Sequence, residues 1–537
     1  MVPAPRFRRV AALQREFVDR EPILEAFATA LEHPGSGPRI LNLTGVGGIG
    51  KSRLLRELTD RAHATHHTAT LDLQIPAMRQ QEDALAVLRG DLGTQGVHFD
   101  RFDIAYTVLW QRLHPHLRLD KAELPFLDGS SILTDVIDTV AGLPFFGTAR
   151  GLVRILERGS SDVRRRMRVR RDSTLQTLDD LPNSDLADAV TYLFAADLRD
   201  SSTDTSYVLF IDSYEALVPA PIRSGRAHLA DSWLRDLCAQ LDTGLVVIAS
   251  REPLRWETDD SEWADVVREH DIDGLPMAAR LTLLETGGIT DPAHQRTVAE
   301  ASAGLPFYLH LAVDTYEQTA GTDHTAVSRS QSQILARFLE HVAADEIRTM
   351  EVLSPARLFD YEVFRLLTVR FHLPGDRLAW ESLTAYSFVY PAGDALRFHQ
   401  LMSAALAARL PVGVTHDVHT ALRALWDQRA TAFTAEGDGP AHARALREAV
   451  FHGLAAGSIS GAELLDYADR AVRYGGHSAA AGLTNDLRTR LTLGSPGDVG
   501  DLPDTLVCLE AEAAVRLGHA PTALRLAVGP AAAADLT

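Results

Sequence analysis

Residues Gly45-Val46-Gly47-Gly48-Ile49-Gly50-Lys51-Ser52 place a glycine, a second glycine five residues on, and then a lysine–serine pair. This fits G-x-x-x-x-G-K-[ST] at every fixed position. The glycines let backbone N–H groups turn inward around nucleotide phosphates, next to the positive end of the helix that follows. Lys51 then reaches the β- and γ-phosphates, and the Ser52 hydroxyl ligates Mg²⁺. Lysine is scarce here, with Lys51 and Lys121 the sole examples among 53 Lys and Arg, so its presence at this position points to a role. Asp212 closes an apolar run and either holds Mg²⁺, directly or through water, or caps the next helix. Glu215 either orients an attacking water or belongs to the surface of a first helical turn. Arg251, ending the next apolar run, either senses a γ-phosphate or forms a surface ion pair. Gly304-Leu305-Pro306 reads as a turn between helices, and His399 as a packed histidine.

These residues need elements to hold them. Ile40–Thr44 reads as a buried strand leading into the glycine loop, and Arg53–Leu58 as an amphipathic helix leaving it. Tyr207–Asp212 and Gly244–Arg251 are continuous apolar runs suited to central parallel strands buried on both faces. Thr68–Leu73 gives a further strand, and Pro22–Leu31 a helix with proline in its first turn. Strands alternating with helices imply a three-layer α/β core with a mainly parallel sheet. Residues 76–200 are mostly helical by periodicity, with breaks at Gly129-Ser130-Ser131, Gly142-Leu143-Pro144 and Gly159-Ser160-Ser161, and read as an insertion. Strand signals fade beyond 256. Residues 277–327 read as helices broken by Gly287-Gly288 and Gly304-Leu305-Pro306. Three or more helices then precede Ser387–Tyr390, the turn Pro391–Asp394 and Ala395–Phe398, a helix-then-hairpin order that suggests a winged-helix module. From 413 onward the chain is Ala- and Leu-rich with helical periodicity, and Leu517-Gly518 with Ala523-Leu524 suggests a tetratricopeptide-like helix pair. The expected partition is an N-terminal arm (1–16), a nucleotide-binding core (17–255), a helical lid (256–330), a winged helix (331–412) and a repeat-like helical region (413–537).

At 537 residues the chain is too long for one core. Apolar content of 46% with 23% charged residues places it among ordinary globular proteins. Cys238 and Cys508 lie far apart, which argues against a disulfide framework or cysteine-rich zinc site and for a reducing compartment. The N-terminus lacks an apolar signal core, and no apolar run is long enough to span a bilayer. A cytoplasmic protein without membrane contact is expected. A formal charge of −19 argues against sequence-independent binding to nucleic acid or anionic membranes. Arg164–Arg171 is a local exception, either a solvated helix face or a docking patch for a partner or nucleic acid.

Taken in order, Phe17-Val18-Asp19-Arg20-Glu21, the glycine loop with its Gly47-Gly48 pair, Ile211-Asp212-Ser213-Tyr214-Glu215, Ala249-Ser250-Arg251, Gly304-Leu305-Pro306 and Phe398-His399-Gln400 resemble the STAND class of signal-transduction NTPases, which includes the NB-ARC and NACHT groups. The resemblance covers roughly residues 14–405 and implies a P-loop NTPase binding ATP or ADP with Mg²⁺. By that resemblance Val18 and Arg20 lie near the adenine and ribose, and Pro306 packs on the base. Gly45, Gly47, Gly48, Ile49, Gly50, Lys51, Ser52 and Arg53 cradle the phosphates. Ser52 and Asp212 hold the metal. Lys51, Asp212, Glu215 and Arg251 carry the chemistry, with Arg251 reading the terminal phosphate, and His399 holds the β-phosphate of ADP. The sequence departs from the NB-ARC pattern at Gln400, where many members carry Asp, and at Ser213, where an acid often stands. The Asp212-to-Glu215 spacing looks more like the NACHT pattern.

The function so implied is a switch in signalling, regulation or defence. ADP holds a closed monomer, ATP permits self-assembly, and slow hydrolysis resets the state. A protein trigger is expected on the C-terminal helical arm, with the effector on a separate chain or on a longer form of this one. The alternatives are an AAA+ remodeller or loader related to origin-recognition ATPases, which would bind nucleic acid, and a maltose-regulator-type activator lacking its DNA-binding module.

Overall fold

The computed structural model describes residues 20–32, 40–113, 172–201, 206–218, 231–241, 244–318, 330–436, 439–493 and 501–516. Val18, the arm at 1–16, the Arg164–Arg171 cluster with the three glycine-containing breaks, and the Leu517–Leu524 turn lie outside these residues.

Five strands form one wholly parallel sheet: β1 (Ile40–Thr44), β2 (His67–Asp72), β3 (Tyr207–Asp212), β4 (Leu245–Ser250) and β5 (Val267–Asp271), in the order β2-β3-β4-β1-β5. β4 therefore lies between β1, which carries the glycine loop, and β3, which carries Asp212. Side-chain alternation divides each central strand between two cores. Leu41, Leu43, Val208, Phe210, Leu245, Val247 and Ala249 pack with α1 (Glu21–Glu32) and α2 (Lys51–His63) through Ile23, Phe27, Leu54 and Leu58. Leu209, Ile211, Val246 and Ile248 face the other way. There they meet α3 (Gln81–Thr94), α4 (Asp100–Leu113), α5 (Asn183–Ser201) and α6 (Ser232–Gln240). Three layers result, as the apolar runs require.

β5 is the strand that sequence patterning misses. Its residues Val-Arg-Glu-His-Asp are half-buried or exposed because an edge strand has one neighbour, so no apolar run forms. Glu269 on β5 still has a buried task. It accepts from the Asn42 amide at 2.7 Å, and the Ser250 hydroxyl donates to Asn42 at 3.0 Å, so one polar chain ties β5, β1 and β4 together.

Helices α7 (Met277–Thr286), α8 (Pro292–Ala301) and α9 (Pro306–Gln318) follow, with their own small core. Next come α10 (Gln331–His341), α11 (Ala344–Leu353), α12 (Tyr361–Arg370) and α13 (Arg377–Thr384), then an antiparallel hairpin of β6 (Val389–Ala392) and β7 (Ala395–Phe398). The expected order of helices and then hairpin is present, with Gly393 at φ 64° in the turn. After α14 (Gln400–Ala407) the chain is helical: α15 (Val412–Glu436), α16 (Gly439–Ala456), α17 (Gly461–Leu493) and α18 (Leu502–Arg516). Their lengths of 25, 18, 33 and 15 residues are unequal, so no fixed repeat period is visible in the described residues. The described members of one continuous apolar core run from Ala301 to Leu509, joining α9, the hairpin and the arm.

A buried charge cluster anchors the arm. Arg447 reaches Asp486 at 3.1 Å, while Arg357 reaches Asp486 at 3.3 Å and Glu448 at 2.8 Å. Arg357 also lies 3.9 Å above the Phe451 ring. Arg79, in the turn after β2, donates to the Leu73 and Gln74 carbonyls and sits in the field of this cluster. Burial, together with Arg447 and Arg357, pulls it down to about 10. Removing a carboxylate from such a group strands buried cations, at a cost of about 3–5 kcal/mol. Asp486→Ala should lower stability by that amount in denaturant unfolding, whereas an exposed i,i+4 pair such as Arg473–Asp469, replaced as a control, should change it by less than about 1 kcal/mol.

Candidate functional site

The loop after β1 turns through glycines whose backbone excludes other residues. Gly48 has φ 82° and Gly50 has φ 100°. A Cβ on Gly48 would lie 2.9 Å from Leu401 Cδ1, 3.3 Å from Phe307 Cβ and 3.5 Å from His399 Cε1. A Cβ on Gly50 would lie 3.7 Å from Pro306 Cγ. The loop is thus covered at once by the start of α9 and by the segment after the hairpin. At the start of α2 the Arg53 and Leu54 N–H groups donate to the Gly50 carbonyl at 3.1 and 2.9 Å, and the N–H groups of Lys51 and Ser52 precede the first helical bond, so the positive end of the helix dipole faces the loop.

Lys51 is buried, and its ammonium donates to the Gly45 carbonyl at 2.5 Å and the Val46 carbonyl at 3.2 Å. Burial holds it below the ordinary lysine range, against the pull of Glu215 and Asp212. Asp212, buried at the end of β3, is hydrogen-bonded to Ser52 and lies beside Asp72 at the end of β2. Burial raises its carboxyl, and the Ser52 hydroxyl offsets part of that rise. Ser213 adopts left-handed backbone (φ 63°), a strained setting for a non-glycine residue, and swings the chain into the short turn that carries Glu215. Tyr214 in that turn donates to buried Asp231 at 2.5 Å, and the Trp256 indole donates to the same oxygen at 3.0 Å.

Arg251, from the end of β4, donates to Glu215 at 3.0 Å and to the Gln400 side-chain oxygen. Its guanidinium is 3.9 Å from where a Gly47 Cβ would stand. Glu215 Oε2 is buried without a hydrogen-bond partner among the described residues. Arg20 is buried at φ 124°, a left-handed-side conformation held by side-chain bonds to the Asp273 carbonyl at 2.6 Å and the Ile49 carbonyl at 3.1 Å. Arg53 is exposed on α2.

His399 is the N-cap of α14. Its Nδ1 accepts from the Leu401 amide at 3.3 Å, which leaves Nε2–H as the donor, and its ring stacks on Phe307 with centroids 4.5 Å apart. Burial, then Arg397, Arg251 and Lys51, depress it to about 4. The packed-histidine expectation fits this placement, and the ring also lies 3.5 Å from where a Cβ on Gly48 would stand. Arg397, two residues earlier on β7, pairs with Asp72 at 2.8 Å.

The structure therefore gathers Gly45–Ser52, Asp212, Glu215, Arg251, Pro306 and His399 around one loop, with Arg20 beside it. Sequence reasoning missed Asp72, Phe307, Arg397 and Leu401. Two carried a readable signal: Asp72 ends its strand as Asp212 does, and Arg397 shares the strand alternation of His399. The residues fit a phosphate ligand with a divalent cation: inward-turning glycines, a helix N-terminus, a lysine, and a hydroxyl–carboxylate pair. Among the described residues no cluster of three or more His, Cys, Asp or Glu forms an all-protein metal cage. A magnesium ion bound mainly through phosphate needs no such cage.

No family model matches the chain. No curated protein matches it. Among solved structures, the STAND protein with a tetratricopeptide repeat sensor from Pyrococcus horikoshii is similar at 12% identity and TM-score 0.46, over 95% of this chain and 63% of that one. This chain thus spans less than two thirds of that protein's length. The Aeropyrum pernix ORC1 protein in complex with DNA is similar at 14% identity and TM-score 0.31, over 75% of this chain and 96% of that one. Drosophila ORC bound to DNA is similar at 12% identity and TM-score 0.26, over 75% and 99%. None of these likenesses is close enough to assign a family or a role. No described helix is long and apolar enough to cross a membrane.

The His399 placement has a pH consequence. A histidine whose folded pKa is depressed contributes stability that is full above its unfolded value of about 6.5 and is lost as pH falls toward about 4. Between pH 7.5 and pH 5 the loss is about 2 kcal/mol. Urea unfolding at both pH values should show a loss larger by that amount in the wild type than in His399→Gln. Equal losses would mean that the ring is solvated.

Proposed function

We propose that this chain is a nucleotide-dependent switch of the STAND type that binds ATP or ADP with Mg²⁺ at Gly45–Ser52 and hydrolyses ATP slowly. One observation supports the reading: a Cβ on Gly48 would meet Phe307 of α9 together with His399 and Leu401 after the hairpin, so these elements crowd the loop at one point. A phosphate ligand in that loop touches three separate elements. Such a ligand has different affinity for the arrangement in which they meet and for one in which they part, which is what switching requires.

In this reading the backbone donors of the loop and Lys51 hold the β-phosphate, with the His399 Nε2–H as a further donor from the opposite side. Ser52 and Asp212, already bonded to each other, are the pair that would hold Mg²⁺, which when bound neutralises charge on the phosphate oxygens. Glu215 orients the attacking water and accepts its proton, and Arg251 sits where a γ-phosphate would extend. In the arrangement described, Glu215 and Arg251 are engaged with each other, so hydrolysis in this state is slow. Arg20 and Pro306 flank the side of the loop that would receive the ribose and base, and Val18 is assigned to the same task by the family resemblance alone. The hairpin segment acts as a winged helix, and the arm receives a protein trigger. ATP-driven self-assembly and an effector on another chain complete the proposal, with a role in signalling, regulation or defence.

Lys51→Ala should weaken ADP and ATP binding by about 10- to 100-fold, the loss of one charge-assisted contact to phosphate. Calorimetry reads this directly, and unchanged affinity would remove the foundation of the proposal. Glu215→Gln should keep ATP affinity within about threefold and slow phosphate release by 10²-fold or more, because an amide cannot take a proton. Turnover at the wild-type rate would assign the base elsewhere.

A further inference from the structure

Arg251 has two partners, and they belong to different parts of the molecule. Its Nε donates to Glu215 on the sheet side, and its Nη2 donates to Gln400, the first residue of α14, on the hairpin side. The guanidinium lies against Gly47 of the phosphate loop. Gln400 follows directly on His399, so the same short segment that covers Gly48 also holds the cation beside Gly47. Arg251 is half exposed and Glu215 a quarter exposed, so the pair lies at the open edge of the site, where the phosphate chain would lengthen.

We propose that Gln400 is a specificity-determining residue that makes the closed arrangement favour a nucleoside diphosphate over a triphosphate. The inference rests on the nucleotide-switch reading above and deepens it. A diphosphate leaves Arg251 with its two present partners. A γ-phosphate brings a charged, bidentate acceptor to the same guanidinium, which an uncharged amide oxygen cannot match. It also places like charge beside Glu215. Arg251 therefore exchanges Gln400 for phosphate, and the segment carrying His399 and Leu401 loses its polar tie to the loop. The neutral side chain matters here. A carboxylate at this position would hold the guanidinium more tightly against the incoming phosphate, whereas an apolar one would not hold it at all.

The test is calorimetric affinity of the full chain for ADP and for the β,γ-imido analogue of ATP, both with Mg²⁺. Gln400→Ala should reduce the preference for ADP over the ATP analogue about tenfold, the loss of one hydrogen bond to a charged group. Gln400→Glu should increase the preference by a similar factor. In an Arg251→Ala background neither change at Gln400 should alter the ratio, since the two act through one contact. An ADP-to-ATP ratio unmoved by both Gln400 variants, with nucleotide still bound at wild-type strength, overturns this inference and leaves the switch reading intact. Failure of the wild-type chain to bind either nucleotide overturns both.

Discussion

A loop that is to hold phosphate must keep its backbone N–H groups unpaired, and a loop in that condition is unstable unless the surrounding fold supplies the order it cannot supply itself. The architecture around Gly45–Ser52 follows from this constraint. β1 enters from a fully buried strand, α2 leaves with its first bonds closing on the Gly50 carbonyl, and the Lys51 ammonium occupies the Gly45 and Val46 carbonyls. The outer side is closed by Phe307, His399 and Leu401 at Gly48, whose φ of 82° strains any other residue, and by Pro306 at Gly50. The start of α9 and the segment after the hairpin are thus part of what shapes the loop.

Charge is arranged with the same economy along the carboxyl edge of the sheet. Asp72, Asp212 and Glu215 lie near Lys51, Arg251 and Arg397, and the two arginines each bridge from one element to another. Arg397 ties the hairpin to β2, and Arg251 ties β4 to both Glu215 and α14. Desolvation raises Asp212 and lowers Lys51, in each case against the charged form. Buried His399 has no acid beside it among the groups that shift it, so its ring stays neutral and presents Nε2–H as a donor without adding charge.

The sequence was most legible where burial is total. Strands β1, β3 and β4 are uniformly buried, and their apolar runs announced both their type and their ends, so Asp212 and Arg251 came with positions attached. The glycine loop was legible because its chemistry needs fixed residue types at fixed spacing. β5 was not legible, since an edge strand packs on one side only and Arg268, Glu269 and His270 mask the pattern. Strand end and alternation mark Asp72 and Arg397 as candidates, but their pairing spans 325 positions, and no local pattern records which acid a given arginine will meet. Tyr214, Asp231 and Trp256 hold the Glu215 turn from behind, and single-sequence reading gives no sign that three such residues converge.

The manner of joining matters as much as the joints. The hairpin and the arm share a single apolar core that also takes in Phe307 and Leu311 of α9, so these parts are bound to one another by burial that cannot be undone piecemeal. Their described ties to the sheet layers are of another kind: Arg397 to Asp72, Gln400 to Arg251, Leu401 against Gly48, and the Arg79 turn against the Asp486 cluster. Three of these four are polar. Polar contacts exchange for water or for a charged ligand at small net cost, whereas opening an apolar core exposes area at about 25 cal/mol per Å². The contacts between the glycine loop and the body that carries His399 are therefore the ones that cost least to exchange, and Arg251, Gln400 and Leu401 are among the groups that make them.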